Sequence, residues 1–158
     1  MRLLLDAMCG DLRAYLRMCG HDTAYALDRG IEADDALLVI AETESRTLVT
    51  RDRELIERAT ARDIGTVRPT STDTEAVLRT LQEAGVDLTL SGRPSRCGAC
   101  NGRLKQVAGG GDGSATGGPG DRPAAAPPDR AVWRCRDCGQ AFWKGGHWDR
   151  VAATLADL

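Results

Sequence analysis

The chain has 158 residues, of which 42% are hydrophobic and 28% charged, and a formal net charge of −2. This is the composition of a globular protein rather than a fibrous or disordered one, and the length suits one domain of about 90–100 residues with a small appendage. The charge is unevenly spread: residues 1–90 carry net −6 and residues 91–158 net +4, an acidic front that calls for cations and a basic back that suits a polyanion.

Part of that pattern reflects a bias of arginine over lysine, since Lys105 and Lys144 are the only lysines. No apolar run approaches the ~20 residues that cross a bilayer. The opening Met1-Arg2-Leu3-Leu4-Leu5-Asp6 lacks the apolar region and small-residue cleavage site of an export signal. The expectation is a cytoplasmic protein with no membrane attachment, whose thiols stay reduced and available to metal.

In chain order, Leu3-Leu4-Leu5 reads as a buried parallel strand. Leu12, Tyr15, Leu16 and Cys19 fall at helical spacing over residues 10–19, and Gly20 supplies a stop. Residues 23–27 form a second candidate strand. Asp34 and Asp35 stand where acids favour a helix start, ahead of Leu37, Leu38, Ile40 and Ala41. Residues 46–50 are β-branched enough for a third strand, 53–61 are helical, and 65–68 form a fourth strand closed by Pro69. Ser71-Thr72-Asp73-Thr74-Glu75 has the polar pattern of a cap before a last helix ending at Gly85. Alternating strands and helices predict an α/β fold, a parallel sheet with helices on both faces.

Beyond it lie two pairs of cysteines, Cys97-Gly98-Ala99-Cys100 and Cys135-Arg136-Asp137-Cys138. Two such knuckles supply the four soft ligands of one structural Zn²⁺. The 34 residues between them exceed the usual ~15–20. However, residues 109–128 are Gly, Ala, Pro, Asp, Ser and Thr with one arginine, Arg122, and unable to bury a core, so they read as a disordered insert. Removing them leaves a ribbon spacing of 14 residues. Cys9 and Cys19 read as small buried apolar residues.

Three carboxylates fall at the carboxyl ends of candidate strands or the helix starts that follow: Asp6, Asp34 and Asp52. Ligands of open parallel sheets bind at that edge. Clustered carboxylates repel one another unless divalent cations neutralise them, so Mg²⁺ or Mn²⁺ suits the site. A single Asp at a helix start, Asp34 or Asp73 for example, is by itself more often a cap.

The strings Leu4-Leu5-Asp6-Ala7-Met8-Cys9-Gly10-Asp11-Leu12, Asp34-Asp35-Ala36-Leu37-Leu38 and Arg46-Thr47-Leu48-Val49-Thr50-Arg51-Asp52-Arg53-Glu54-Leu55 resemble the PIN-like ribonuclease family named after the C-terminal domain of the Mut-seven exonuclease. The likeness continues through both knuckles to Trp143-Lys144-Gly145-Gly146-His147-Trp148. It implies a PIN-like fold over residues 1–90 that cleaves RNA with a divalent metal. Asp6, Asp34 and Asp52 match the acidic positions, with Asp35 as an alternative to Asp34. The fourth acid is Asp73 or Glu54, with Asp73 preferred.

Residues 91–150 would then form a zinc ribbon, with 151–158 as a tail. Its basic residues, among them Arg96, Arg134, Arg136 and Lys144, suit a phosphate backbone, and His147 suits an RNA contact better than a zinc bond. Trp133, Phe142, Trp143 and Trp148 would either fill the ribbon's core or stack on unpaired bases. The rival readings are a non-catalytic RNA-binding module and a protein adaptor. A protein partner or regulator is compatible with either, and oligomeric state is not legible.

Overall fold

Leu3, Leu4 and Leu5 are fully buried because their strand, β1 (Arg2–Leu5), has a neighbour on each side and helices over both faces. The computed structural model describes residues 1–109 and 122–158. In it, β1 lies between β2 (Asp22–Tyr25) and β3 (Thr47–Val49), and β4 (Thr66–Val67) completes a parallel sheet in the order β2-β1-β3-β4. The register sets Leu5 opposite both Tyr25 and Val49.

Strand alternation sends side chains to two separate cores. Leu3, Leu5, Tyr25, Val49 and Val67 pack with α1 (Arg13–Met18) and α4 (Thr74–Glu83) through Leu16, Val77, Leu78 and Leu81. On the other face, Leu4, Ala24 and Leu48 pack with α2 (Asp34–Thr43) and α3 (Arg53–Thr60) through Leu37, Leu38, Leu55 and Ala59. Helices therefore cover both faces, as the alternating pattern predicts.

The helix expected over residues 10–19 is instead a 3₁₀ segment, Ala7–Leu12, followed by the short α1. The break falls beside Gly10, over which the Tyr25 ring lies: a Cβ at Gly10 would sit 2.7 Å from Tyr25 Cζ. The second strand ends at Tyr25, earlier than expected, because the chain turns into the 3₁₀ segment Leu27–Arg29.

The C-terminal part is a three-stranded antiparallel sheet of β5 (Leu104–Ala108), β6 (Val132–Cys135) and β7 (Ala141–Trp143), then α5 (Gly146–Ala156). Val107, Ala126 and Val132 form its small core. Most of the insert expected to be disordered, residues 110–121, lies outside the described residues. At its far end, however, Ala126 is buried. Residues 151–158, expected as a tail, run largely within α5: Val151 is buried, and Leu155 and Leu158 pack against the first core of the parallel sheet.

The two parts meet along β2, the edge of the parallel sheet. An open edge strand leaves backbone donors and acceptors without partners. Here Asn101, directly after the first knuckle, and Arg17 of α1 supply them. Thr23 N–H donates to Asn101 Oδ1 at 2.9 Å, and Thr23 O accepts from Arg17 Nε at 3.0 Å. Arg17, 1% exposed, also donates to Gly98 O at 2.9 Å and Ala99 O at 2.8 Å and pairs with Asp28 at 3.0 Å.

Asp22 gathers the neighbouring charges, accepting from Arg46 at 2.9 Å and Asn101 Nδ2 at 2.7 Å, with Arg96 at 3.4 Å. Burial pushes its carboxyl up, but the Arg46 and Asn101 hydrogen bonds and the two arginine charges outweigh this and hold it down to about 2.

Replacing Arg17 with Leu keeps the apolar stem but strands three carbonyls and Asp28. The expected loss is about 3 kcal/mol, read as a lower urea midpoint. An unchanged midpoint would show that the seam contributes nothing to stability.

Candidate active site and metal centre

From β1 the chain crosses to β2 on one side and later returns as β3 on the other, so the β1/β3 boundary is a switch point in strand order. Loops diverge there at the carboxyl ends of the strands and leave a crevice. Asp6 directly follows β1, and Thr50, Arg51 and Asp52 follow β3.

Thr50 is fully buried and joins the two acids. Its hydroxyl donates to Asp6 Oδ2 at 2.7 Å and accepts from the Asp52 N–H at 3.1 Å. Asp6 Oδ1 accepts from the Ala7 N–H at 2.5 Å. Asp52 is the N-cap of α3, its Oδ1 accepting from the Glu54 and Leu55 N–H groups at 2.8 and 3.1 Å. Each carboxylate is thereby held in one orientation. Arg51 ties the loops around them together, donating to Met8 O at 2.9 Å and Ser71 O at 3.5 Å.

The other two candidate acids are held differently. Asp34 is exposed on the first turn of α2 and pairs with Arg58 of α3 at 3.3 Å, and Arg58 also binds Asp35. Asp34 is not a cap, since Ala33 occupies that position. Asp73 caps α4, accepting from the Ala76 N–H at 3.0 Å. The hydrogen-bond network thus joins Asp6 and Asp52, while Asp34 and Asp73 stand outside it. Glu54, the alternative fourth acid, lies in the first turn of α3, beside Asp52.

Among the described residues, one group of three or more Cys, His, Asp or Glu side chains is close enough to hold a metal: Cys97, Cys100, Cys135 and Cys138, with all sulfurs within 4.8 Å of one another. Cys97 Sγ lies 3.7 Å from Cys138 Sγ, and Cys100 Sγ 3.5 Å from Cys135 Sγ. Tetrahedral Zn²⁺ with Zn–S bonds of ~2.3 Å needs sulfurs ~3.8 Å apart, so the group fits. The Cys100 and Asp137 N–H groups point at Cys97 Sγ and Cys135 Sγ, each at 3.4 Å, as suits thiolates. Burial pushes the Cys97 and Cys100 thiols up, whereas burial at Cys135 is outweighed by the backbone N–H groups of Cys138 and Asp137, which pull the thiol down, so ionising the whole group calls for a cation among the sulfurs. Gly102 leaves the space, since a Cβ there would lie 2.8 Å from Cys135 Sγ.

A family model described as the Mut7-C RNAse domain matches residues 1–155. The chain belongs to that family. No curated protein and no solved structure matches it. Membership of the Mut7-C RNAse family implies a ribonuclease-type function with RNA as its substrate. Among the described residues no helix is long and apolar enough to cross a membrane.

The basic residues expected to touch RNA in this Mut7-C chain divide by environment. Arg96 turns inward to Asp22 and donates to Asn101 O at 3.0 Å. Arg134 donates to Gly139 O at 2.9 Å. Arg136 and His147 are exposed, and Lys144 Nζ sits 5.0 Å above the Trp148 ring. Trp133 is buried, whereas Phe142, Trp143 and Trp148 are half-buried.

Thr50 and Arg51 are the site residues that sequence reasoning passed over, although both lie inside the Arg46–Leu55 string. The available signal was a hydroxyl at the end of a buried strand, which must find a hydrogen-bond partner.

Purified protein is expected to carry one zinc per chain by elemental analysis. Cys100→Ser or Cys138→Ser should lower that occupancy and speed amide exchange at residues 98–101 and at Thr23, which lean on the knuckle. Wild-type protein purified without zinc but fully folded would contradict the assignment.

Proposed function

We propose that the protein is a Mg²⁺- or Mn²⁺-dependent ribonuclease that hydrolyses phosphodiester bonds at the crevice between β1 and β3. On this reading residues 1–90 form a PIN-like nuclease domain and residues 91–150 a zinc ribbon that helps hold RNA, in a cytoplasmic setting that keeps all six cysteines as thiols. The observation that carries the reading is the Asp6–Thr50–Asp52 network at the switch point.

Mg²⁺ keeps several waters and binds through one or two carboxylates, so Asp6 and Asp52 suffice as protein ligands. Such an ion supplies a Lewis acid for the phosphate and an attacking water of lowered pKa. Thr50 and the helix-cap hydrogen bonds fix the two carboxylates before substrate arrives, and preorganisation of this kind is what lowers a barrier. Arg51 keeps the walls of the crevice together. Asp34 and Asp73, on flanking helix starts, add negative charge that favours cations near the rim, and both are catalytic candidates in this reading. Arg96, Arg134, Arg136, Lys144 and His147 make the ribbon attractive to a phosphate backbone, with Arg136, Lys144 and His147 best placed for direct contact.

One observation favours a non-catalytic RNA-binding module or adaptor: Asp52 and Asp73 both cap helices and Asp34 is ion-paired, the ordinary duties of such residues.

Cleavage assays separate the readings. Wild-type protein should cut single-stranded or structured RNA with Mg²⁺ or Mn²⁺ and not with chelator. Asp6→Asn and Asp52→Asn should each lower the rate at least ~100-fold, and Thr50→Val about 10- to 100-fold, with folding retained. No cleavage with either ion, or wild-type rates in both Asn variants, would overturn the nuclease reading.

A further inference from the structure

A cavity of about 500 Å³ lies between α1 and the ribbon, lined by Met18 of α1, Phe142 and Trp143 of β7, and Trp148 at the start of α5. That volume falls within the ~300–1,000 Å³ of small-molecule sites. Its lining also includes Gln140 and His147, an amide and an imidazole that can hydrogen-bond in the plane of an aromatic ligand. Two glycines shape the wall. A Cβ at Gly145 would lie 3.2 Å from Trp143 Nε1, and one at Gly98 would reach the Phe142 ring at 4.0 Å.

We propose that this cavity binds one unpaired base of the RNA substrate, with the flanking phosphates against Lys144 and Arg150. The proposal rests on the RNA-cleaving reading above and adds to it a base-recognition subsite.

Three features favour a base over an apolar peptide. Three of the lining side chains, Phe142, Trp143 and Trp148, are aromatic, and aromatic rings stack on any base. The polar groups at the cavity match the donors and acceptors of a base edge. The surrounding charge is positive on balance: Arg96 lines the cavity, Lys144 is held over Trp148 at 5.0 Å, and Arg150 lies one helical turn beyond His147, against the single acid Asp149 in the first turn of α5. That charge is complementary to a nucleic-acid strand and offers a neutral apolar segment nothing. Duplex RNA keeps its bases stacked inside, so the site selects single-stranded or looped RNA.

The test is RNA binding by the full-length, zinc-loaded protein with Mg²⁺ and Mn²⁺ withheld, so that cleavage plays no part. Fluorescence anisotropy with a short labelled single-stranded RNA should show Phe142→Leu and Trp148→Leu each weakening binding roughly 5- to 100-fold. Affinity for duplex RNA should be unchanged. Wild-type protein gives an independent readout: in a series of RNAs with one abasic nucleotide moved along the strand, one position should lose affinity by a similar factor.

A flat abasic series overturns the proposal, and so does equal loss of single-stranded and duplex binding in variants that keep their zinc. If the variants do not fold, the abasic series decides. A flat series with RNA binding intact is also the outcome expected if the cavity serves an apolar peptide. Strong base-dependent binding without any metal-dependent cleavage would refute the nuclease reading and leave this subsite standing.

Discussion

Arg17 is the side chain on which both halves of the molecule close. Its guanidinium meets the carbonyl of Thr23 at the edge of the parallel sheet and the carbonyls of Gly98 and Ala99 in the first cysteine knuckle. A buried guanidinium is tolerable only when its donors are satisfied, and those partners come from two stretches of chain far apart in sequence. The knuckle can present two carbonyls in one direction only if its turn is fixed, which is what a metal on Cys97 and Cys100 would do. The same arginine reaches Asp28, which also binds Arg13 at 2.9 Å, and Arg13 stacks 4.5 Å over Tyr25. Tyr25 donates to Ala7 O at 3.0 Å, next to Asp6. A continuous set of contacts therefore runs from the cysteine cluster to the first residue of the candidate active site.

The two candidate metal sites differ in ligand hardness. Four sulfurs gathered within 4.8 Å suit Zn²⁺ and leave no protein-derived position open for a reaction. The carboxylates of Asp6 and Asp52 are hard donors, spread along a crevice, and suit an ion that retains water.

The legible features of the sequence were those with local causes. Leu3-Leu4-Leu5 reads as a strand buried on both faces because no polar residue interrupts it, and the two cysteine pairs read as one cluster because each sits on its own tight turn. Asp6 and Asp52 were legible because strand ends mark the rim of a parallel sheet. What stayed hidden depends on partners far away in sequence. Arg17 looks like a solvent-facing helix residue until Gly98 and Ala99 arrive, and nothing local marks Asn101 as the cap of a strand edge. The close approach of Tyr25, from strand β2, to Gly10 within the 3₁₀ segment Ala7–Leu12 is likewise invisible to local pattern. Helix α5 is a similar case. Trp148, Val151 and Leu155 follow helical spacing, but the partner of Leu155 is the first core of the parallel sheet, far away in sequence, so residues 151–158 read as a tail.

The central claim is that a second metal, distinct from the one held by sulfur, binds between Asp6 and Asp52. Crystals grown with Mn²⁺ test it most directly, because anomalous scattering distinguishes manganese from zinc. The account predicts a zinc peak among the four cysteines and a separate manganese peak contacting Asp6 and Asp52. A crevice free of manganese at millimolar concentrations, with Asp6 and Asp52 still holding their Thr50 and helix-cap hydrogen bonds, would contradict it.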